Sequence, residues 1–344
     1  MKKNIYIAYT GGTIGMKKTP DGYAPAPGYL EEQMKTLSEL RDPLMPDYTI
    51  SEYEPLLDSS NMTPDNWLRI AQDIADNYDN YDGFVVLHGT DTMAYTASAL
   101  PFMLQGLQKP VILTGSQIPL CEIRNDARRN LITSLIIATM ENPENKGPIP
   151  EVCLYFGSRL LRGCRAVKMS AGDFEAFDSP NFPHLGTAGV KINIRWSQIL
   201  TPSQGGDILT VRKFGGPVVG TLRLFPGIST EWIRNILRPP LKGLVLQTYG
   251  MGNAPNRDKE FLRILERAIR KDGIVIVNCT QCLRGTVEPG SYAAGSELAK
   301  TGVISGSDMT REAALSKLFH LFSAGYSTEK IKRRMQENLR GEIS

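Results

Sequence analysis

The chain has 344 residues, of which 41% are hydrophobic and 22% are charged, and its formal net charge is +3. This is the composition of a globular protein with room for two domains, and it excludes disordered and collagen-like chains. The basic residues are scattered, which argues against a nucleic-acid-binding stripe, and no apolar run approaches the about 18 residues of a membrane span. We therefore expect neither nucleic acid nor a membrane as a partner.

The cysteine and histidine content argues against a disulfide framework and against a metal centre. Five cysteines are an odd number spread over a long chain. Cys279 and Cys282 form a CxxC at a strand end, but two cysteines cannot close a zinc site, and the three histidines are scattered. We expect no metal and no cofactor. The apolar run near the start is too short for a signal peptide, so we expect a cytoplasmic protein.

Strand, polar turn and helix alternate along the first part of the chain. The predicted strands are 4–9, 48–53, 83–87, 110–114 and 152–156, and the predicted helices are 30–40, 65–77, 93–105 and 126–140. This alternation predicts a parallel sheet with helices on both faces. Residues 160–177 are polar and are predicted to be irregular.

The same pattern restarts after a polar stretch that we interpret as a linker. The later predicted strands are 218–224, 243–247 and 274–278, and the later helices are 229–236, 258–271, 311–323 and 328–338. The sequence therefore predicts an α/β fold with two α/β domains. They are a larger N-terminal flavodoxin-like parallel-sheet domain over 1–192 and a smaller C-terminal α/β domain over 213–344, joined by a linker at 193–212.

Hydroxyl and carboxylate side chains follow the predicted strands at the point where each one ends. Thr13 lies in the glycine-rich turn TGGTIG, Ser59 follows the second strand, Thr90 and Asp91 follow the third, and Ser116 follows the fourth. Because the carboxyl ends of parallel strands share one edge of a sheet, we expect these residues at one rim. Such a rim is where open α/β sheets bind ligands.

These residue types allow acyl transfer without a histidine. A threonine hydroxyl needs a neighbouring base, which a lysine can supply, and backbone N–H groups of glycine-rich turns can form an oxyanion hole. We interpret His88 as a hydrogen-bonded core histidine. Taken singly, Thr13 and Thr90 could be ordinary turn hydroxyls, Asp91 a helix N-cap and Lys168 a surface lysine.

A set of motifs in a fixed order resembles the bacterial-type L-asparaginase family over nearly the whole chain. The motifs are TGGTIG, DSSNMTPDNW, HGTDTM, TGSQIP, YGMGNAP, and NCTQCLRGTV with SYAAG. Without a secretion signal the chain looks like the cytoplasmic, type I branch found in enterobacteria. The resemblance implies hydrolysis of L-asparagine to L-aspartate and ammonia, no cofactor, and a homodimer or a homotetramer built as a dimer of dimers.

The resemblance also implies roles for the residues that match the motifs. Thr13 matches the nucleophile, and Tyr23 matches a tyrosine of the mobile loop that hydrogen-bonds the nucleophile when the loop closes. Thr90, Asp91 and Lys168 match a second triad, in which the lysine lowers the proton affinity of the hydroxyl and the aspartate holds the substrate α-ammonium.

Further positions match the family's substrate contacts. Ser59, with the backbone around Ser60 and Gly89, matches the α-carboxylate site. Ser116 stands where the family places a backbone carbonyl beside the side-chain amide. Tyr292, in SYAAG, matches the tyrosine that cytoplasmic-type members use in place of a glutamate of secreted members.

Two departures from the family pattern bear on regulation and local structure. In relatives with a second, allosteric asparagine site, the counterpart here is the polar group Gln247, Asn253, Thr280 and Cys282, in which Gln247 replaces an arginine. An amide cannot clamp a carboxylate bidentately, so we expect allosteric control to be weakened or lost. The second departure is RNDA at 124–127, where the family has glycine after the aspartate, so we expect a different turn.

Three alternatives remain open from the sequence. A broad-specificity glutaminase-asparaginase is one, because one extra methylene is worth only about 1–3 kcal/mol in a pocket. The amidase subunit of a tRNA-dependent amidotransferase is another, although it carries an additional N-terminal domain and only nine residues precede Thr10 here. The third is a non-catalytic amino-acid-binding protein on the same scaffold.

Overall fold

The computed structural model describes residues 2–202, 208–216, 218–288 and 293–344, and the chain divides into two compact units. One unit extends to Ser179 and also includes 183–212, whereas the other consists of 180–182 and 213–344. The stretch 193–212, predicted as a linker, belongs to the first unit, where Thr210 and Val211 pair with a short strand at Leu104–Gln105.

The first unit contains fourteen strands and four α-helices among its described residues. The strands are β1 Asn4–Gly11, β2 Met16–Thr19, β3 Gly22–Pro25, β4 Asp47–Leu57, β5 Gly83–Leu87, β6 Leu104–Gln105, β7 Val111–Thr114, β8 Val152–Phe156, β9 Arg159–Arg162, β10 Val167–Lys168, β11 Phe177–Asp178, β12 Gly186–Ala188, β13 Ile192–Ile194 and β14 Thr210–Val211. The helices are α1 Tyr29–Thr36, α2 Pro64–Asp76, α3 Met93–Met103 and α4 Ala127–Ile137.

Eight of these strands form one sheet in the order β13-β12-β9-β8-β7-β5-β1-β4. Five neighbouring strands of this sheet, β4, β1, β5, β7 and β8, are parallel. Tyr9 of β1 lies opposite Glu52 of β4 on one side and Leu87 of β5 on the other. In chain order these five strands run 2-1-3-4-5, which is the flavodoxin-like arrangement, so that prediction is confirmed. The order reverses between β1 and β5, and open α/β sheets bind ligands beside that point.

The central strands are apolar throughout because helices cover both faces of the sheet. All residues of β5, β7 and β8 are buried, as are seven of the eight residues of β1. The helix α2 begins with Pro64, and the side chain of Asn66 accepts a hydrogen bond from the N–H of Thr63, 2.8 Å away. This helix turns Trp67 and Ile70 into the core.

The antiparallel part of the sheet was not predicted. The prediction that 160–177 is irregular was wrong for β9, β10 and β11. β9 pairs antiparallel with β8, and β12 and β13 continue the large sheet on the other side of β9, whereas β10 and β11 form a separate two-stranded sheet. These strands have two to four residues each. Strands of that length are too short to give a period-two pattern, and only their pairing partners define them.

The second unit contains a parallel four-stranded sheet in the order β15-β16-β17-β18, covered by helices. The elements are β15 Val219–Arg223, α5 Thr230–Ile236, β16 Gly243–Thr248, α6 Lys259–Arg270, β17 Val275–Thr280, α7 Ala293–Lys300, β18 Ile304–Ser305, α8 Arg311–Ser323 and α9 Thr328–Met335. One apolar cluster holds residues of α5, α6 and α7, and a second holds residues of α8 and α9.

A buried ion pair fastens the end of the chain to α8. Lys317 Nζ lies 2.6 Å from Glu342 Oε1, and both side chains are fully buried. The ammonium also donates to the carbonyl of Met335 at 2.9 Å, and the carboxylate accepts from the N–H of Leu339 at 3.1 Å. In the described ranges, no helix combines the length and the apolar character needed to cross a membrane.

Candidate active site

The turn after β1 carries Thr13 at the start of a one-turn 3-10 helix, Thr13–Gly15. Gly12 has a φ of 90°, a backbone conformation that favours glycine. A Cβ atom on Gly12 would lie 2.4 Å from the backbone nitrogen of Gly89, so the turns after β1 and β5 touch backbone to backbone. Because Thr13 and Thr90 each follow one of these glycines, the two predicted threonines belong to a single constellation.

The turn after β5 leads into α3 and carries Thr90 and Asp91. Thr90 is 8% exposed, whereas the side chain of Asp91 is 65% exposed. A Cβ atom on Gly89 would lie 2.5 Å from Ser59 Oγ, so the turn after β4 meets the same point. The structure therefore gathers three of the predicted turns beside the reversal in strand order.

Lys168 joins this group from a distant part of the first unit. Its Nζ donates to Thr90 Oγ1 at 2.9 Å and to Asp91 Oδ1 at 2.7 Å. Lys168 ends β10, where it pairs with Phe177 of β11, and its side chain is 21% exposed. Lys168 is thus not a lysine without partners on the surface, since its ammonium contacts Thr90 and Asp91 of the turn after β5, and a catalytic role for it stays a prediction.

Ser59 links the turn after β4 to the turn after β5 through both of its oxygens. Its hydroxyl accepts from the N–H of Asp91 at 3.3 Å, and its carbonyl accepts from the hydroxyl of Thr92 at 2.7 Å. Ser59 is buried. Ser60 is exposed, and its N–H donates to Asp58 Oδ1 at 2.9 Å within the same turn.

The turn after β7 is held by a buried carboxylate. Asp126 accepts from the N–H of Gln117 at 2.9 Å and from the N–H of Ile118 at 3.0 Å, and it is 3% exposed. Ser116 is buried beside this turn, and within the described residues its hydroxyl has no hydrogen-bond partner. The departure at 124–127 thus contains the residue that fixes the turn, and α4 begins directly after Asp126.

Gln117 is a site residue that the sequence did not single out. Its Oε1 lies 3.5 Å from Thr90 Oγ1, and its Nε2 donates to the carbonyl of Asp173 at 3.1 Å. The amide therefore bridges the second threonine turn and the loop between β10 and β11. Its place directly after Ser116, in the motif TGSQIP at the end of a predicted strand, could have identified Gln117 as a candidate.

Tyr23 is not brought to Thr13 in this structure. It lies on the hairpin formed by β2 and β3, is 45% exposed, and donates its hydroxyl to Glu122 Oε1 at 2.7 Å. This hydrogen bond raises the pKa of the Tyr23 phenol. Tyr292 lies outside the described residues.

The predicted allosteric group lies in the second unit, at the carboxyl ends of β16 and β17. Gln247 Nε2 donates to Thr221 Oγ1 at 2.8 Å, so its amide is engaged by the neighbouring strand. Thr280 Oγ1 donates to the carbonyl of Gly250 at 2.6 Å and accepts from the N–H of Cys282 at 3.0 Å. Asn253 pairs with Tyr249 through its backbone. Within the predicted group of four residues, Thr280 and Cys282 are in direct contact.

His88 is fully buried and hydrogen-bonded, as the sequence predicts. Burial lowers the pKa of its imidazole to about 4, so the ring is neutral at pH 7. Across the described ranges, no group of three or more histidine, cysteine and acidic side chains could hold a metal ion.

Family models match both units of the chain. A model described as "Asparaginase, N-terminal" matches residues 4–200, and one described as "Glutaminase/Asparaginase C-terminal domain" matches residues 218–335. The chain belongs to the asparaginase family. The resemblance drawn from the motifs is thereby confirmed.

Several known proteins are similar to this chain over its full length. L-asparaginase 1 of Escherichia coli K12 is 51% identical over 343 residues, which cover 100% of this chain and 98% of the relative. The mouse "60 kDa lysophospholipase" is 42% identical and covers 100% of this chain, which spans 63% of that longer protein. The crystal structure of L-asparaginase I from Vibrio cholerae has a TM-score of 0.90 and 49% identity, with full coverage of both chains.

Proposed function

We propose that the protein hydrolyses L-asparagine to L-aspartate and ammonia. Membership of the asparaginase family and the names of the E. coli and V. cholerae relatives support this substrate. The observation that carries the proposal is the ammonium of Lys168, which contacts both Thr90 Oγ1 and Asp91 Oδ1. A cation at 2.9 Å stabilises negative charge on the Thr90 oxygen, which is what a hydroxyl in acyl transfer requires.

Substrate binding is assigned to the rim of the sheet in the first unit. The exposed carboxylate of Asp91 holds the α-ammonium, and the backbone beside Ser59, Ser60 and Gly89 receives the α-carboxylate. The carbonyl of Ser116 accepts from the side-chain amide. A hydrogen bond supports this assignment: the hydroxyl of Ser59 accepts from the N–H of Asp91. The turn that we propose for the substrate α-carboxylate therefore lies beside the residue that we propose for the α-ammonium.

Catalysis proceeds through Thr13 and a covalent acyl-enzyme. Thr13 Oγ1 bonds to the amide carbon, its proton passes to the departing nitrogen, and ammonia leaves. Water then adds to the ester, the C–O bond to Thr13 breaks, and the threonine hydroxyl is restored. Thr90, Lys168 and Asp91 handle the proton transfers and the charge. The contact between Gly12 and Gly89 supports the pairing of the two threonines.

Tyr23 completes the proposed site. Tyr23 approaches Thr13 when the hairpin β2–β3 closes, which requires its hydrogen bond to Glu122 to break. The role that the family resemblance implies for Tyr292 stays a prediction. No cofactor takes part in the proposed reaction.

The proposed setting is a homodimer or homotetramer in the cytoplasm. All five cysteines are free, as expected in a reducing compartment. Allosteric control by a second asparagine is weakened or absent, since the Gln247 amide is engaged by Thr221. Light scattering measures the oligomer. Hyperbolic asparagine kinetics support the loss of control, and sigmoidal kinetics abolished by Asn253→Ala would overturn it.

Ammonia release from L-asparagine and from L-glutamine tests the function, with Thr13→Ala and Thr90→Ala beside the wild type. We expect release from asparagine that is lost in both variants. Comparable kcat/KM on glutamine would replace the proposal with a glutaminase-asparaginase. Binding of asparagine without ammonia release would leave an amino-acid-binding protein.

A further inference from the structure

Three buried side chains form a hydrogen-bonded line behind the second threonine turn. His88 Nδ1 lies 2.6 Å from the carbonyl oxygen of Gly89, and His88 Nε2 lies 2.9 Å from Thr96 Oγ1. Trp67 Nε1 donates to Thr96 Oγ1 at 3.0 Å. The line therefore connects α2, α3 and the turn after β5. His88 and Thr96 are fully buried, and Trp67 is 6% exposed.

The chemistry of the two ends fixes the direction of every hydrogen bond in this line. A carbonyl oxygen only accepts, so His88 Nδ1 carries the proton and donates to Gly89. Because the ring is neutral, Nε2 must accept, and Thr96 therefore donates its hydroxyl proton to it. The indole N–H only donates, and Thr96 Oγ1 accepts it through a lone pair.

The line sets the orientation of the peptide between Gly89 and Thr90. This peptide is trans, so its C=O and N–H point in opposite directions. With the carbonyl drawn toward the buried imidazole, the N–H of Thr90 points away from it. Within the described part of the chain, that N–H has no hydrogen-bond partner. Contact with Gly12 braces the same backbone on the side of the first turn.

We propose that His88 is a positioning residue that, through the Gly89 carbonyl, aims the N–H of Thr90 at the amide oxygen of the substrate. This inference rests on the proposed function. As the amide carbon becomes tetrahedral, its oxygen gains negative charge, and an N–H already fixed in direction stabilises that charge more than it stabilises the bound substrate. Thr96 and Trp67 hold the imidazole in the tautomer that this task requires.

The test separates kcat from KM in two variants of Thr96. Thr96→Val keeps the shape of the side chain but leaves His88 Nε2 without its donor. Loss of a whole oxyanion-hole donor lowers kcat by about 10²–10³-fold, so we expect a misaligned donor to lower it by about 10–100-fold, with KM changed less than about threefold. Thr96→Ser restores the hydroxyl and should restore most of kcat.

A matched control lies on the same helix. Ser98 is as buried as Thr96, and within the described residues its hydroxyl has no partner, so Ser98→Ala should leave kcat unchanged. A Thr96→Val enzyme that is folded and keeps its kcat, or that loses no more than Ser98→Ala, would overturn the inference. So would a Thr96→Ser enzyme as slow as Thr96→Val.

A second measurement does not depend on turnover. In the wild-type protein with ¹⁵N-labelled histidine, we expect His88 to be protonated at Nδ1 and not at Nε2 from pH 6 to 9. The opposite tautomer, or a charged ring, would overturn the inference. A wild type that releases no ammonia from asparagine would instead refute the proposed function, so the two failures are distinguishable.

Discussion

Gly12 and Gly89 meet so closely that Gly12 has no room for a side chain, and the side chain of Ser59 leaves none at Gly89. A Cβ atom on Gly12 would lie 2.4 Å from the nitrogen and 2.5 Å from the Cα of Gly89. This contact joins the carboxyl ends of β1 and β5 at the reversal in strand order, and it sets the spacing of the two threonine turns.

Gly89→Ala is therefore expected to damage both stability and activity. The new methyl group would sit 2.5 Å from Ser59 Oγ, and we expect a loss of about 1–3 kcal/mol of unfolding free energy and at least a tenfold fall in kcat/KM. Urea unfolding and ammonia release measure the two effects. Gly189→Ala is the control, because its Cβ would meet nothing within 4 Å. Equal behaviour of the two variants would show that the close approach of Gly89 to Ser59 does not matter.

Lys168→Met tests the cation beside Thr90. Removing the ammonium deprives Thr90 of its hydrogen-bond donor and Asp91 of its counter-charge, so we expect kcat to fall by about 10²–10⁴-fold. Lys168→Arg should restore little, since a planar guanidinium does not reproduce a single donor between two oxygens. Exposed Lys191→Met serves as the control in the same assay. Activity of Lys168→Met near that of the wild type would exclude the proposed role.

The hydrogen bond from Tyr23 to Glu122 is expected to oppose closure of the hairpin β2–β3. Glu122→Ala removes the acceptor, and a hydrogen bond worth about 0.5–1.5 kcal/mol corresponds to a rise of about two- to tenfold in kcat/KM for asparagine. Tyr23→Phe removes the hydroxyl that binds Glu122 here and that we propose binds Thr13 in the closed state, so it should lower kcat/KM. A decrease in both variants would mean that Glu122 supports the reaction.

The neutral His88 predicts a pH dependence of stability with a definite sign. Burial lowers its pKa from 6.5 to about 4, so between these pH values the unfolded chain binds a proton that the folded protein does not. Stability should rise with pH across this window, by about 3 kcal/mol from this residue, and the contribution of the residue should be constant above it. Urea unfolding from pH 4.5 to 7 should give a shallower slope for His88→Gln than for the wild type. Parallel slopes would contradict the buried, neutral ring.

The ion pair between Lys317 and Glu342 predicts a strong effect of a single substitution in the second unit on stability. Glu342→Gln leaves a buried ammonium without its counter-charge, and we expect a loss of about 3–5 kcal/mol in urea unfolding. Glu297→Gln breaks the exposed pair with Lys300 and should cost less than about 1 kcal/mol. Similar losses in the two variants would contradict this interpretation.

The parallel core was predictable because its strands are buried on both faces and read as continuous apolar runs. The runs GFVVL and PVILT each end in a polar turn, and the rule that such turns share one edge of a parallel sheet then predicted a common rim. The antiparallel strands β9, β12 and β13 were not predictable, since each is short and is defined by its partner.

The candidate site divides in the same way. Thr13, Ser59 and Thr90 follow strands, so topology alone predicts that they lie at one rim. Lys168 lies on a two-residue strand within a polar stretch, and only the family resemblance assigned it to the site. Asp126 accepts a hydrogen bond from the backbone of Gln117 and so fixes the turn from which Gln117 reaches Thr90. Neither contact leaves a periodic pattern in the sequence.

The position of β1 between β4 and β5 also bears on how the chain is synthesised. β1 leaves the ribosome before both of its neighbours in the sheet, and the backbone contact between Gly12 and Gly89 cannot form until Gly89 has been translated. Lys168 and its pairing strand β11 follow later still. A nascent chain therefore carries an unpaired apolar strand until β4 and β5 have been made, and the contact between Lys168 and Thr90 can form only later.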